Sequence, residues 1–151
     1  MIYIARGTNT FDINKFMRVR NDDNLRKPLG GFWACRKSSD DWLKWCKAEE
    51  YMSSESLRKS IDFTLISNSK IYTIDTVEDL AQLIKKYPMK KGFPSMFSKI
   101  FPYHTVNWEL MSRDYDGVEL VNEPLLHWEL YGWDINSIVI FNPRVIAVRI
   151  K

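Results

Sequence analysis

Late in the sequence, Ile138, Val139, Ile140 and Phe141 form an unbroken β-branched and aromatic run, and Asn142-Pro143 stops it before residues 145–150 begin to alternate. A run of this kind belongs in the buried centre of a sheet, and the Asn-Pro pair reads as a tight turn joining two adjacent strands. Asp134, Asn136 and Ser137 stand immediately ahead of it. A sheet's rim opens to solvent at such a point and polar groups there can meet a ligand, so one wall of any site is expected here.

The remaining strand signals are short. Residues 1–5 read as a first strand that runs straight into Arg6, Gly7 and Thr8. It delivers a cation, a permissive backbone and a hydroxyl to one rim, a set suited to phosphate or ribose, with a solvated strand-end arginine as the plainer alternative. Residues 30–35 read as a second strand entered through Gly30-Gly31, where another backbone or a ligand can approach closely. Trp33 beside the pair offers either a flat stacking face or a core ring. Two β-rich runs at 62–66 and 70–74, separated by Ser67, Asn68 and Ser69, read as a hairpin, and Tyr115-Asp116-Gly117 turns the chain into a strand at 118–121.

Three stretches carry helical periodicity. Ser38 with Asp41 forms a capping-box variant ahead of Trp42, Trp45 and Cys46, which predicts a helix over 39–51 whose apolar stripe suits the core better than a cofactor box. Thr76 with Asp79 opens a helix over 76–86 that Pro88 closes, with Val77, Leu80, Leu83 and Ile84 on one face. Trp108 and Met111 share a face in a short third helix. Short strands with hairpin signals and few helices predict an α+β fold: two packed, mostly antiparallel sheets with about three helices, in a single domain over 1–151.

Six Trp, seven Tyr and eight Phe in 151 residues make the chain rich in rings that favour places with one apolar and one polar side, hence a pocket or an interface. The net charge of +3 is too small to argue for nucleic acid. Its distribution says more: Lys85, Lys86, Lys90, Lys91 and Lys99 alternate with Tyr87, Phe93, Phe97, Phe101 and Tyr103, and no acid falls between Asp79 and Glu109. Single-stranded nucleic acid or an acidic protein would require that interleaving, and a surface loop anchored by its aromatics would show it equally. No apolar run approaches a membrane span and no signal peptide is recognisable, so no membrane association and a cytoplasmic location are expected. Cys35 and Cys46 lack metal-ligand spacing and are expected as free, buried thiols, and His127 has no recognisable partner. No P-loop, dinucleotide fingerprint, nucleophile elbow or zinc motif occurs.

The order of features resembles the ADP-ribosyltransferase-like fold, in particular its small bacterial and phage-type members: a first strand ending in Arg6-Gly7-Thr8, then GGFWAC at 30–35, YDGVEL at 115–120 and SIVIFNPRVI at 137–146. The resemblance implies NAD bound in a cleft between two sheets, held by Arg6 with Gly7 and Thr8 beside it. GGFWAC matches the strand that presents a Ser or Tyr near the nicotinamide, so Gly31, Trp33 and Cys35 would line the cofactor. The family's third motif is a Glu just before the last hydrophobic strand, and Ser137 occupies the matching position. A hydroxyl can only hydrogen-bond where a carboxylate would stabilise positive charge on a ribose, so the acid would come from Asp134 or Glu119. The expected activity is NAD-dependent ADP-ribosyl transfer or NAD cleavage directed at a protein or nucleic-acid acceptor, in the setting of a toxin or phage effector. The alternatives are a non-catalytic domain of this fold that binds a nucleotide or a protein, and single-strand binding through residues 85–104.

Overall fold

The computed structural model describes residues 1–22, 26–91, 103–126, 130 and 132–149. The chain runs β1 (Tyr3–Arg6), β2 (Phe32–Arg36), α1 (Asp41–Ala48), α2 (Ser54–Arg58), β3 (Ser60–Leu65), β4 (Ile71–Ile74), α3 (Val77–Lys86), β5 (Pro88–Lys91), β6 (Tyr103–Val106), α4 (Trp108–Met111), β7 (Gly117–Leu120), α5 (Glu123–Leu126), β8 (Ser137–Ile140) and β9 (Ile146–Val148). Seven strands form one sheet in the order β4-β7-β8-β2-β1-β3-β9, and β5 pairs with β6 in a separate ribbon. Among the described strand pairs, only β4 with β7 is parallel. The expected α+β character and antiparallel bias hold: a seven-stranded sheet stands beside the two-stranded ribbon, with five α-helices among the described residues.

The sheet is strongly curled. A flat sheet would put β3 and β4 about 24 Å apart at ~4.8 Å per strand, more than the short link between them can bridge even fully extended at ~3.5 Å per residue. Curling brings the wings together, so that Leu65, Ile71 and Ile146 pack against one buried cluster of Tyr3, Ala5, Ala34, Ile61, Phe63, Ile138, Ile140 and Val145. The opposite face carries the larger cluster, in which Val118, Leu120 and Val139 of the sheet meet Leu80 and Leu83 of α3, Trp108 and Met111 of α4, Leu126 and Trp133. Period-two alternation explains the division: on β8, Ile138 and Ile140 turn to one cluster and Val139 to the other.

Two pairings differ from the sequence reading. Residues 60–65 and 71–74 are not a hairpin, because β3 pairs with β1 and β9 while β4 lies against β7. Asp116 decides it: its carboxylate accepts from Lys70 N at 2.8 Å and its amide donates to Lys70 O at 2.8 Å, which seats β4 beside the start of β7. Likewise β8 and β9 are not partners; Pro143–Val145 forms a 3-10 turn that carries the chain from the sheet's middle to its edge. Ser38 does not cap α1, whose N-cap is Asp40 in the left-handed region at φ 46° with no side-chain cap bond. Thr76 and Asp79 do form the expected reciprocal box on α3. Of the basic-aromatic stretch, Lys85 and Lys86 end α3, Tyr87 is buried and donates to Asp114 at 2.6 Å, and residues 88–91 pair with 103–106 in the β5-β6 ribbon. Phe93, Phe97, Lys99, Phe101 and His127 lie outside the described residues.

Candidate functional site

On β1, β2 and β8 the alternation sends Ile4, Arg6, Trp33, Cys35, Ser137 and Val139 to the same face, since Ile4 pairs with Cys35 and Trp33 with Val139. A cavity of about 370 Å³ opens on this face. Ile4, Arg6, Trp33 and Ser137 form its floor, Trp42 and Trp45 of α1 with Tyr51 and Met52 one wall, and Lys27 to Gly30 with Gly132 to Ile135 the other. Trp42 and Trp45 stack at 5.2 Å and 15°, and Tyr51, 62% exposed, packs against both. Trp33 meets Trp133 edge-to-face at 5.2 Å and donates its indole N–H to Gly30 O at 2.9 Å. Lys27 Nζ lies 5.7 Å from the Trp33 ring centre, within cation-π range. The result is a mainly apolar, ring-lined hollow with a few polar groups, the usual make-up of a small-molecule site.

Four candidates therefore share one cavity: Arg6 and Trp33 from distant strands, and Asp134 and Ser137 at the entry to β8. Their states differ. Arg6 donates from Nε to Asp40 Oδ1 at 3.3 Å, from Nη1 to Leu57 O at 2.9 Å and from Nη2 to Asp40 Oδ2, so its charge is already compensated. The hydrogen bonds to Asp40 hold its pKa above the ordinary arginine value. Asp134 is exposed, and its carboxylate makes no hydrogen bond or ion pair among the described residues. Ser137 is buried and fully engaged: Oγ accepts from Trp133 Nε1 at 2.5 Å and donates to Ile135 O at 3.2 Å.

The other candidates fall away from this cavity. Glu119 points to the opposite side of β7 from Val118 and Leu120, where it is buried, accepts from Arg36 Nε and Nη2 at 2.7 and 3.1 Å, and accepts from Tyr3 Oη at 3.3 Å. With Arg36, Ser39, Asp41 and Asn136 it lines a second, polar cleft of about 220 Å³, which Ser137 also borders. Cys35 is 1% exposed, its Sγ 4.0 Å from Ile4 O, and burial pushes its thiol pKa up, so it is an inert core residue. Thr8 closes a local turn, donating to Thr10 O at 2.7 Å while its Oγ accepts from Thr10 N at 3.2 Å. Gly7 sits at φ 88° with N bonded to Lys59 O at 2.8 Å. At Gly31, φ is +70° and a Cβ would stand 2.6 Å from Val139 Cγ1, so the glycine serves close packing of the entering chain on β8 rather than a ligand.

The sequence reading missed that α1 turns its tryptophan stripe to the cavity. Trp42 and Trp45 are only partly buried, which a stripe on a fully packed helix would not be. The available signal was Tyr51 following so closely on Trp42 and Trp45, more ring surface than an eight-residue helix needs for its core. Lys27, within LRKPLGG, was also missed. No group of three or more His, Cys, Asp or Glu able to hold a metal occurs among the described residues, and no described helix is long and apolar enough to cross a membrane. Comparison with family models, curated proteins and solved structures found no match to this chain.

Proposed function

We propose that the aromatic cavity is a nucleotide site that takes the ring-bearing end of NAD, and that the chain catalyses ADP-ribosyl transfer or NAD cleavage with Asp134 as its acid. The observation that carries this reading is the convergence of Arg6, Trp33 and the unpaired Asp134 on one ring-lined hollow. The residues fit the ligand in part. Stacked and edge-on indoles suit a flat ring, and 370 Å³ lies near the low end of ligand pockets, so the rest of a dinucleotide would extend past the mouth. With Arg6 compensated by Asp40, Lys27 is the cation best able to meet a phosphate. Asp134 supplies negative charge at the cavity, where it would favour positive charge developing on a ribose as the bond to nicotinamide breaks and the electron pair leaves with the ring. The acceptor, a protein or nucleic-acid group or water, then bonds to the ribose carbon and gives up its proton.

A second reading is a binding domain without turnover. It is favoured by Ser137, which stands where the resemblance expects the acid and has its hydroxyl engaged with Trp133 and Ile135. Asp134→Asn separates the two. Loss of a group acting only in the transition state lowers turnover and spares binding, so the variant is expected to lose nicotinamide release while keeping NAD affinity. Full release by Asp134→Asn would remove this residue from the chemistry, and NAD binding without release by the parent chain would establish the binding reading.

A further inference from the structure

Ser137 is bordered by both cavities, the aromatic one and the polar cleft that holds Glu119. It is 6% exposed, and Trp133, whose indole N–H reaches it at 2.5 Å, is 2% exposed. The same hydroxyl donates to Ile135 O at 3.2 Å. One side chain therefore ties together the two residues that flank Asp134. Trp133 is in turn held edge-to-face on Trp33 at 5.2 Å and against Trp108 at 5.8 Å, so its ring is fixed on two further sides. Nothing comparable holds Asp134, which is exposed and has no side-chain partner among the described residues.

We infer that Ser137 is a positioning residue: it locks Trp133 and Ile135 and thereby presents Asp134 to the aromatic cavity. This rests on the nucleotide-site reading for its catalytic consequence and on geometry alone for its structural one. A buried hydroxyl that both accepts and donates fixes a short segment more firmly than a single bond, because losing it leaves the indole N–H and a backbone carbonyl without their partner. The position where the resemblance expects a charged group is thus given over to orienting a neighbouring one.

The test is a double-mutant cycle with Ser137→Ala and Trp133→Phe, plus Ser137→Thr as the conservative restoration. Each single change is expected to lower the rate of nicotinamide release about tenfold, with KM nearly unchanged in Ser137→Ala, the double variant to fall no further than either single, and Ser137→Thr to recover most of the loss. In parallel, amide and indole resonances are recorded without ligand: Ser137→Ala should shift the Trp133 indole N–H and the Asp134 amide, and Ser137→Thr should return both. Trp133→Phe keeps a ring in the core and carries the test if Ser137→Ala does not fold. Additive rate losses, or an Asp134 amide that stays in place in both single variants, overturn the inference. A parent chain with no NAD turnover defeats the functional reading instead, and the resonances then decide by themselves whether Ser137 sets Asp134.

Discussion

Tyr3 offers the sharpest test of what Glu119 does. Its hydroxyl donates to Glu119 Oε2 at 3.3 Å inside the curl of the sheet, and Arg36 holds the same carboxylate from the other side. Burial, then the negative charge of Glu119, pushes the phenol up from its usual 10 to about 12, with the positive charge of Arg36 opposing. A folded-state pKa above the unfolded one means the folded protein keeps a proton that the unfolded chain releases, so the linked stability is intact below pH 10 and lost as pH rises toward 12. A rise of this size corresponds to roughly 2–3 kcal/mol. Tyr3→Phe removes the titrating group but keeps the ring, which stacks on Phe63 at 5.6 Å. Denaturant midpoints for both proteins, measured at pH 8 and in steps from 10 to 12, should show the variant about 1 kcal/mol weaker at pH 8 from the lost hydrogen bond and distinctly flatter in the alkaline limb. Parallel decline of the two proteins above pH 10 would refute the argument and reopen Glu119 as an accessible acid.

Other consequences are equally open to measurement. Gly31→Ala should cost roughly 2–4 kcal/mol in chemical denaturation, combining left-handed strain with a Cβ placed 2.6 Å from Val139 Cγ1, and a neutral result would contradict the described approach to β8. Thr76→Ala should lower stability by about 1 kcal/mol through loss of the α3 cap, read from the unfolding midpoint. Asp40→Asn tolerates the same left-handed backbone but removes the charge facing Arg6, so NAD binding should tighten and become more salt-dependent by calorimetry at two ionic strengths. Unchanged affinity would take Arg6 out of ligand contact.

How far the sequence could be read follows from the range of each signal. The α3 box, the buried β8 run and the glycine-led β2 are local, and each appears where its residues put it. Strand pairing is not local: β3 and β4 look like a hairpin because only five residues intervene, and the bonds between Lys70 and Asp116 that redirect β4 reach across 46 positions. The site divides in the same way. Arg6 and Trp33 could be named from their places at glycine-flanked strand ends and Asp134 from its place before β8, but their shared face depends on the pairing of Ile4 with Cys35 and Trp33 with Val139. No sequence signal tells that Asp40 compensates Arg6, that Ser137 holds Trp133, or that Arg36 draws Glu119 away, because each depends on a partner brought in by tertiary folding.

Calorimetric titration with NAD, comparing the parent chain with Tyr51→Ala, tests the central claim most directly. Tyr51 lines the cavity yet is 62% exposed, so its removal should leave the unfolding midpoint in place. Saturable NAD binding to the parent is expected, weakened about tenfold in the variant, as loss of one stacking ring implies. Absence of binding heat up to millimolar NAD, or identical titrations of the two proteins, would contradict it.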